Sequence, residues 1–368
     1  MRIEALQGPA TAARLLAADA EVYAALAADL VANEPRALLT VARGSSDHAA
    51  HYMAYLVMAR LGRLVTSLPM SLVTLYGSQL RCEGLVSLAF SQSGQSPDLI
   101  APTRYFASHR ARTVALVNDA TSPLALASQW VLPLHAGAET SVAATKSFIA
   151  QLVAGARLVA QWESRSEGYS EGYSEGHPED RSEADSQRRS EGRSVAGTAL
   201  QAALTTLPDA LHAATACDWS AAVPVLQGVD KLFVVSRGTG LAVAMEAALK
   251  LKETCAIQAE AYSGAEVKHG PMALVEAGYP MLILAPRGPA QAGLLALAED
   301  MRGRGARVLL AAPLGTPGAE LPLAPTAHED LDPIAVVQSF YLMVDALAQA
   351  RGLDPDAPRH LAKVTRTH

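Results

Sequence analysis

The chain has 368 residues, half of them hydrophobic but only 5% aromatic, and a formal net charge of -6. That is enough apolar material for two domains with real cores, and a mildly acidic chain gives no electrostatic reason to expect nucleic acid as a partner. Cys82, Cys217 and Cys255 are widely spaced and form no CxxC pair, which argues against a disulfide-stapled fold or a cysteine zinc site.

The first residues, MRIEALQGPATAARLL, lack the apolar run of a signal peptide, and no stretch reaches about 18 uncharged apolar residues. No membrane span is expected, and the cytoplasm is the expected location. Short apolar runs then alternate with helical patterns. Residues 37–42 (ALLTVA), 85–90 (LVSLAF), 113–117 (TVALV) and 130–134 (WVLPL) read as buried strands. Residues 47–61 and 97–109 read as helices between them. The rhythm returns at 231–235 (KLFVV), 280–285 (PMLILA) and 307–312 (RVLLAA). Continuous apolar strands alternating with helices predict an α/β protein with parallel sheets covered on both faces.

Between the blocks lies a segment dense in Ser, Glu, Gly and Arg, which has too few aliphatic residues to offset its ordering entropy. The predicted organisation is therefore a first domain over 1–162 with an N-terminal helix, a flexible low-complexity linker over 163–194, a second domain over 195–351, and a C-terminal tail over 352–368. VARGSS at 41–46 and VSRGTG at 235–240 each end a strand and open a helix, which suggests two related halves.

The most informative loop is Ser91-Gln92-Ser93-Gly94-Gln95-Ser96, followed by Pro97. It sits at a strand's C-terminal end just before a helix, where open α/β folds bind ligands. Ser93 and Ser96 offer hydroxyls, Gly94 allows close backbone approach, and free N–H groups with the helix dipole favour an anion. No lysine follows as in GxxxxGK[ST], so a simple phosphomonoester fits better than a nucleotide. Arg43-Gly44-Ser45-Ser46 occupies the equivalent place after the preceding strand.

A second constellation lies on the helix LAVAMEAALKLKET over 241–254. Glu246, Lys250 and Glu253 fall at i, i+4 and i+7 and share one face, which by spacing alone suits an exposed ion-pair ladder. Downstream, His269 precedes Gly270-Pro271, which puts an imidazole able to move protons at a turn. Lys363 lies in a tail that follows the Pro-rich segment 353–358; a tail folded over a site would present it to a carbonyl or hydroxyl.

Taken together, SQSGQS at 91–96, AETSVAATKSF at 138–148, ALKLKE at 248–253, AEAYSGAEVKHGP at 259–271 and PRHLAKVT at 358–365 resemble the sugar isomerase (SIS) family, and within it the isomerase half of glutamine–fructose-6-phosphate aminotransferase. The resemblance implies two SIS domains, each a doubly wound parallel sheet flanked by helices, in a homodimer. It implies that Ser91, Gln92, Ser93 and Ser96, helped by Ser46, hold phosphate, and that Val142 shapes the sugar pocket. Glu253 would shuttle a proton between C1 and C2, supported by Lys250. His269, from the neighbouring subunit, would open the sugar ring, and Lys363 would meet the reactive end of the open sugar. No metal and no cofactor is implied.

Two departures bear on the reaction. The sequence before Val41 has no room for a glutaminase domain, so ammonia from glutamine is not expected. Ala144 stands in VAAT where the family has a serine. The expectation is a glucosamine-6-phosphate deaminase acting on a phosphorylated amino sugar. The alternatives are a fructosamine-6-phosphate deglycase, another ketose–aldose isomerase, or a non-catalytic sugar-phosphate sensor.

Overall fold

The computed structural model describes residues 1–170 and 198–363. Three helices, α1 (Arg2–Leu6), α2 (Gly8–Ala17) and α3 (Ala20–Ala32), precede the first sheet. That sheet comprises β1 (Ala37–Val41), β2 (Val65–Ser67), β3 (Leu85–Ser91), β4 (Arg112–Val117) and β5 (Trp130–Pro133), in the order β2-β1-β3-β4-β5 with every neighbour parallel. Its connections carry α4 (Ser45–Leu56), which runs on as a π-helix over Val57–Leu61, then α5 (Ser71–Thr74), α6 (Pro97–Ser108) and α7 (Pro123–Leu126). The long α8 (Lys146–Ser170) follows β5.

The second half repeats the plan. A helical run over residues 198–205 (α9), α10 (Leu207–Thr215) and α11 (Ala222–Leu226) lead into β6 (Lys231–Ser236) and α12 (Leu241–Cys255). Next come β7 (Gln258–Ser263), β8 (Pro280–Leu284), α13 (Gln291–Gly303), β9 (Arg307–Pro313), β10 (Leu321–Leu323) and α14 (Asp332–Ala350). The strand order is β10-β9-β8-β6-β7, again all parallel.

The apolar strands are buried on both faces, as parallel sheets under helices must be. In β6, Leu232 and Val234 face a central core while Phe233 and Val235 face an outer one. In the first sheet Leu88 and Phe90 join that same central core, and Ala89 joins an outer one. The central core lies between the sheets, where α4 and α8 of the first half pack on α12 and α14 of the second. Small residues let these helices approach closely. A Cβ at Gly155 on α8 would lie 3.1 Å from Met53 Cβ on α4, and Ala49, Ala50, Ala154 and Ala156 are fully buried. This is how a chain poor in aromatics reaches a dense interior.

Sequence reasoning missed β2, β7 and β10. All three lie at sheet edges, where a strand needs no continuous apolar run: β7 reads QAEAYS and exposes Gln258 and Glu260. The expected start of the linker at residue 163 is also corrected. Helix α8 runs through it to Ser170, and the buried Glu163 accepts a 2.8 Å hydrogen bond from Arg60 Nε. Arg60 also donates to Asp330 Oδ2 at 2.8 Å, so this pairing ties the two halves. The rest of that expected linker, 171–194, lies outside the described residues. Among the described residues one helical stretch, Glu329–Ala350, is long and apolar enough to cross a membrane, but 89% of its apolar window is buried in the protein, so α14 is a core helix.

Candidate active site

Strands β1 and β3 are adjacent, yet the chain leaves β1 toward β2 on one side and continues from β3 toward β4 on the other. The crevice outside their C-terminal ends is the ligand position of such sheets. The loops over 43–46 and 91–96 flank it. Gly94 has φ +64°, and a Cβ there would collide with the Ser122 hydroxyl, so glycine is required on two counts. Its N–H donates to Ser91 Oγ at 2.9 Å, and the Gln95 N–H donates to Ser93 Oγ at 3.3 Å. Ser96 is extended just before Pro97, and its hydroxyl makes no capping bond to α6. The loop therefore presents hydroxyls and first-turn amides at the N-terminus of a 12-residue helix, which suits a dianionic phosphate.

The charged face of α12 is not an exposed ladder. The Glu246 side chain is 0% exposed, Lys250 1% and Glu253 21%. Lys250 Nζ lies 3.2 Å from Glu246 Oε1, 2.6 Å from Glu253 Oε2 and 3.0 Å from Ser45 Oγ. Burial alone would push the Glu246 carboxyl up, but the Lys250 ammonium, His48 and Ser45 outweigh it and bring it down to about 2. Burial likewise disfavours the Lys250 charge, and the two carboxylates more than restore it. Tyr341 on α14 donates to Glu246 Oε1 at 3.1 Å. On α4, Ser46 Oγ accepts from Gln151 Nε2 of α8 at 2.9 Å. The start of α4 thus touches the charged cluster of α12 through Ser45, while Ser46 stands beside it on the crevice loop.

The tail is strapped to the segment before α8. Val142 N–H donates to the Asp356 carbonyl at 3.1 Å, and Lys363 Nζ donates to the Ser141 carbonyl at 2.6 Å and to Glu139 Oε2 at 3.2 Å. Glu139 is itself buried and immobilised by Thr145 N–H at 3.0 Å, Ser147 N–H at 3.1 Å and the Ser147 hydroxyl at 2.6 Å. The structure brings Lys363 and Val142 together, and separately brings Lys250, which holds Glu253, to the β1 loop. Among the described residues, no hydrogen bond or ion pair joins Lys363 to Glu253, and the exposed His269 side chain makes neither. Sequence reasoning missed Ser45, His48, Glu139, Gln151 and Tyr341 as members of the site. Ser45 was visible in the RGSS turn; Tyr341 reaches α12 from 95 positions away and left no local signal.

The SIS domain family model matches residues 32–160 and 226–337. The chain belongs to this family. It is 36% identical over 350 residues, 92% of its length, to a glutamine–fructose-6-phosphate aminotransferase of Aeropyrum pernix, of which it covers 52%. It thus spans about half the length of the curated relatives it matches. A solved structure from Silicibacter pomeroyi DSS-3, provisionally assigned as a phosphosugar isomerase, superposes with a TM-score of 0.82 at 40% identity, covering 96% of this chain and 99% of that one. The glucosamine-6-phosphate deaminase of Thermotoga maritima shares the fold, with a TM-score of 0.67 at 20% identity and coverage of 97% and 100%.

Replacing Glu246 by Gln should cost about 3 kcal/mol of stability at neutral pH, because Lys250 loses one of its two counter-charges. The folded carboxyl titrates below its unfolded value, so its contribution is complete above about pH 4.5 and fades as the pH falls toward 2. Denaturant midpoints of wild type and Glu246→Gln should converge on acidification through that window. A gap independent of pH would show that the charge of Glu246 is not what Lys250 requires.

Proposed function

We propose that the protein is a phosphosugar isomerase whose substrate is a 2-amino sugar, so that isomerisation ends in release of ammonia: a glucosamine-6-phosphate deaminase. The observation that carries this reading is the Glu253 carboxylate, partly exposed and gripped by a buried lysine that also meets Ser45 in the loop at the end of β1. A carboxylate so placed is a base of fixed position, and a phosphate in the neighbouring serine loop would hold the sugar's far end and supply much of the orientation.

In this mechanism the phosphate binds Ser91, Gln92, Ser93 and Ser96, with Ser46 beside them. His269 of a second copy assists ring opening. Glu253 removes the C2 proton of the open aldose, and the C1 oxygen takes a proton from the Lys363 ammonium to become a hydroxyl as an enaminol forms. Glu253 then delivers its proton to C1 while the nitrogen gives one up to restore the Lys363 ammonium, leaving the 2-imine of fructose 6-phosphate. Water adds to C2 and ammonia leaves, yielding fructose 6-phosphate. One carboxylate suffices because C1 and C2 are adjacent. Val142 lines the sugar, and Ala144 in place of a serine removes one hydroxyl from that wall.

Glu253→Gln should still bind fructose 6-phosphate but lose roughly 100- to 10,000-fold in turnover, read as ammonia release from glucosamine 6-phosphate. Wild-type turnover in this variant would remove Glu253 from the mechanism. Hexose 6-phosphate isomerisation by the wild-type protein without ammonia release would favour a plain ketose–aldose isomerase. Ser93→Ala should raise KM with kcat little changed; an unaltered KM counts against the serine loop as the phosphate site.

The subunit origin of His269 has its own test. Two variants, Glu253→Gln and His269→Ala, each inactive, should regain about a quarter of wild-type activity when unfolded together and refolded as random dimers, since half the dimers are hybrids with one intact site. No recovery would place both groups in one chain's site.

A further inference from the structure

The buried end of the α12 charge cluster is held by a residue that the proposed mechanism does not use. His48 Nδ1, on α4, lies 3.0 Å from Glu246 Oε2, and the two side chains are 14% and 0% exposed. The other Glu246 oxygen is shared by Lys250 Nζ and the Tyr341 hydroxyl. An ionised Glu246 only accepts, so the His48 proton must sit on Nδ1, which fixes the tautomer of the ring. The chain of contacts then runs His48, Glu246, Lys250, Glu253, across two halves of the fold.

We propose that His48 is a positioning residue for the proton transfer: by occupying one oxygen of Glu246, it sets how far the Lys250 ammonium is free to grip Glu253. This rests on the reading of Glu253 as the base and deepens it. Lys250 is shared between two carboxylates, closer to Glu253 than to Glu246. Take away the imidazole, and Glu246 Oε2 is left buried without its donor; it draws the ammonium inward and loosens it from Glu253. Glu253 then loses its fixed orientation and part of its counter-charge. The charged groups around His48 are Asp47 and His51 on its own helix, Arg43 in the loop before it, and Glu246 and Lys250 on α12. Tyr341 faces Glu246 from α14, and the α8 contact, Gln151, is neutral. Removing His48 therefore leaves Glu246 and Lys250 as the charges that reset Glu253.

The experiment measures solvent deuterium entering C1 and C2 of glucosamine 6-phosphate and fructose 6-phosphate, with kcat/KM followed across pH. His48→Ala should lower the exchange rate about tenfold or more, leave KM for the phosphorylated sugar near wild type, and move the acid limb up by roughly half to one pH unit. His48→Asn, whose amide nitrogen can replace Nδ1 as donor, should restore both rate and limb. Tyr341→Phe, which removes only the neighbouring hydroxyl, should shift the limb in the same direction by less, and it serves if the alanine variant does not fold. The proposal is overturned if His48→Ala keeps the wild-type rate and limb. It is overturned equally if the rate falls with the limb unmoved, or if His48→Asn is as impaired as His48→Ala, since either marks a purely structural role. Should the wild-type protein neither exchange solvent deuterium at C1 or C2 nor carry the C2 proton to C1 during turnover, the reading of Glu253 as base fails, and the role of His48 fails with it.

Discussion

A lysine ammonium with 1% of its side chain exposed persists in a protein only when opposite charge meets it inside. Lys250 is met by two carboxylates of its own helix, one sealed and one half-open, and the arrangement of the rest follows from that need. Glu246 requires donors where water cannot reach, so α4 supplies His48 and α14 supplies Tyr341. Ser45 completes the ammonium's shell and ties α12 to the end of β1. The half-open carboxylate, Glu253, is the one left in reach of solvent. The burial that makes the cluster costly also brings it against the crevice of the first sheet.

The two halves share a plan but divide the work. Both open a helix after a glycine-bearing turn, with Gly44 at φ +56° and Gly238 at φ +66°. Their second loops differ. After β3 the chain reads Ser91-Gln92-Ser93-Gly94-Gln95-Ser96, rich in hydroxyls and amides; after β8 it reads Ala285-Pro286-Arg287-Gly288-Pro289-Ala290. The two prolines there remove backbone donors, and Arg287 is spent on Asp332, with contacts of 2.7 Å to each carboxylate oxygen. One half thus offers the hydroxyl-rich loop, and the other contributes the helix that carries the charges.

Much of this was legible in the residues. Continuous apolar runs gave the inner strands, since a strand covered on both faces must be apolar throughout. The edge strands β2, β7 and β10 were invisible because they are short or alternate with polar residues. The serine loop was readable from its place between strand and helix, and the face shared by Glu246, Lys250 and Glu253 from helical spacing. Spacing could not say whether that face was wet or dry; burial decides it, and burial depends on α4, α8 and α14 packing from elsewhere in the chain. The same holds for Glu139. Its role in fixing Lys363 exists only because the tail returns across 224 residues to meet it.

The layer formed by α4, α8, α12 and α14 has a consequence for the way the molecule comes apart. These helices pool side chains from both sheets into one continuous apolar interior. Neither sheet could detach without opening that interior to water along its whole inner face. Duplicated though its architecture is, the protein should melt as a single cooperative unit, and half of it made alone would present solvent with a face meant for its twin.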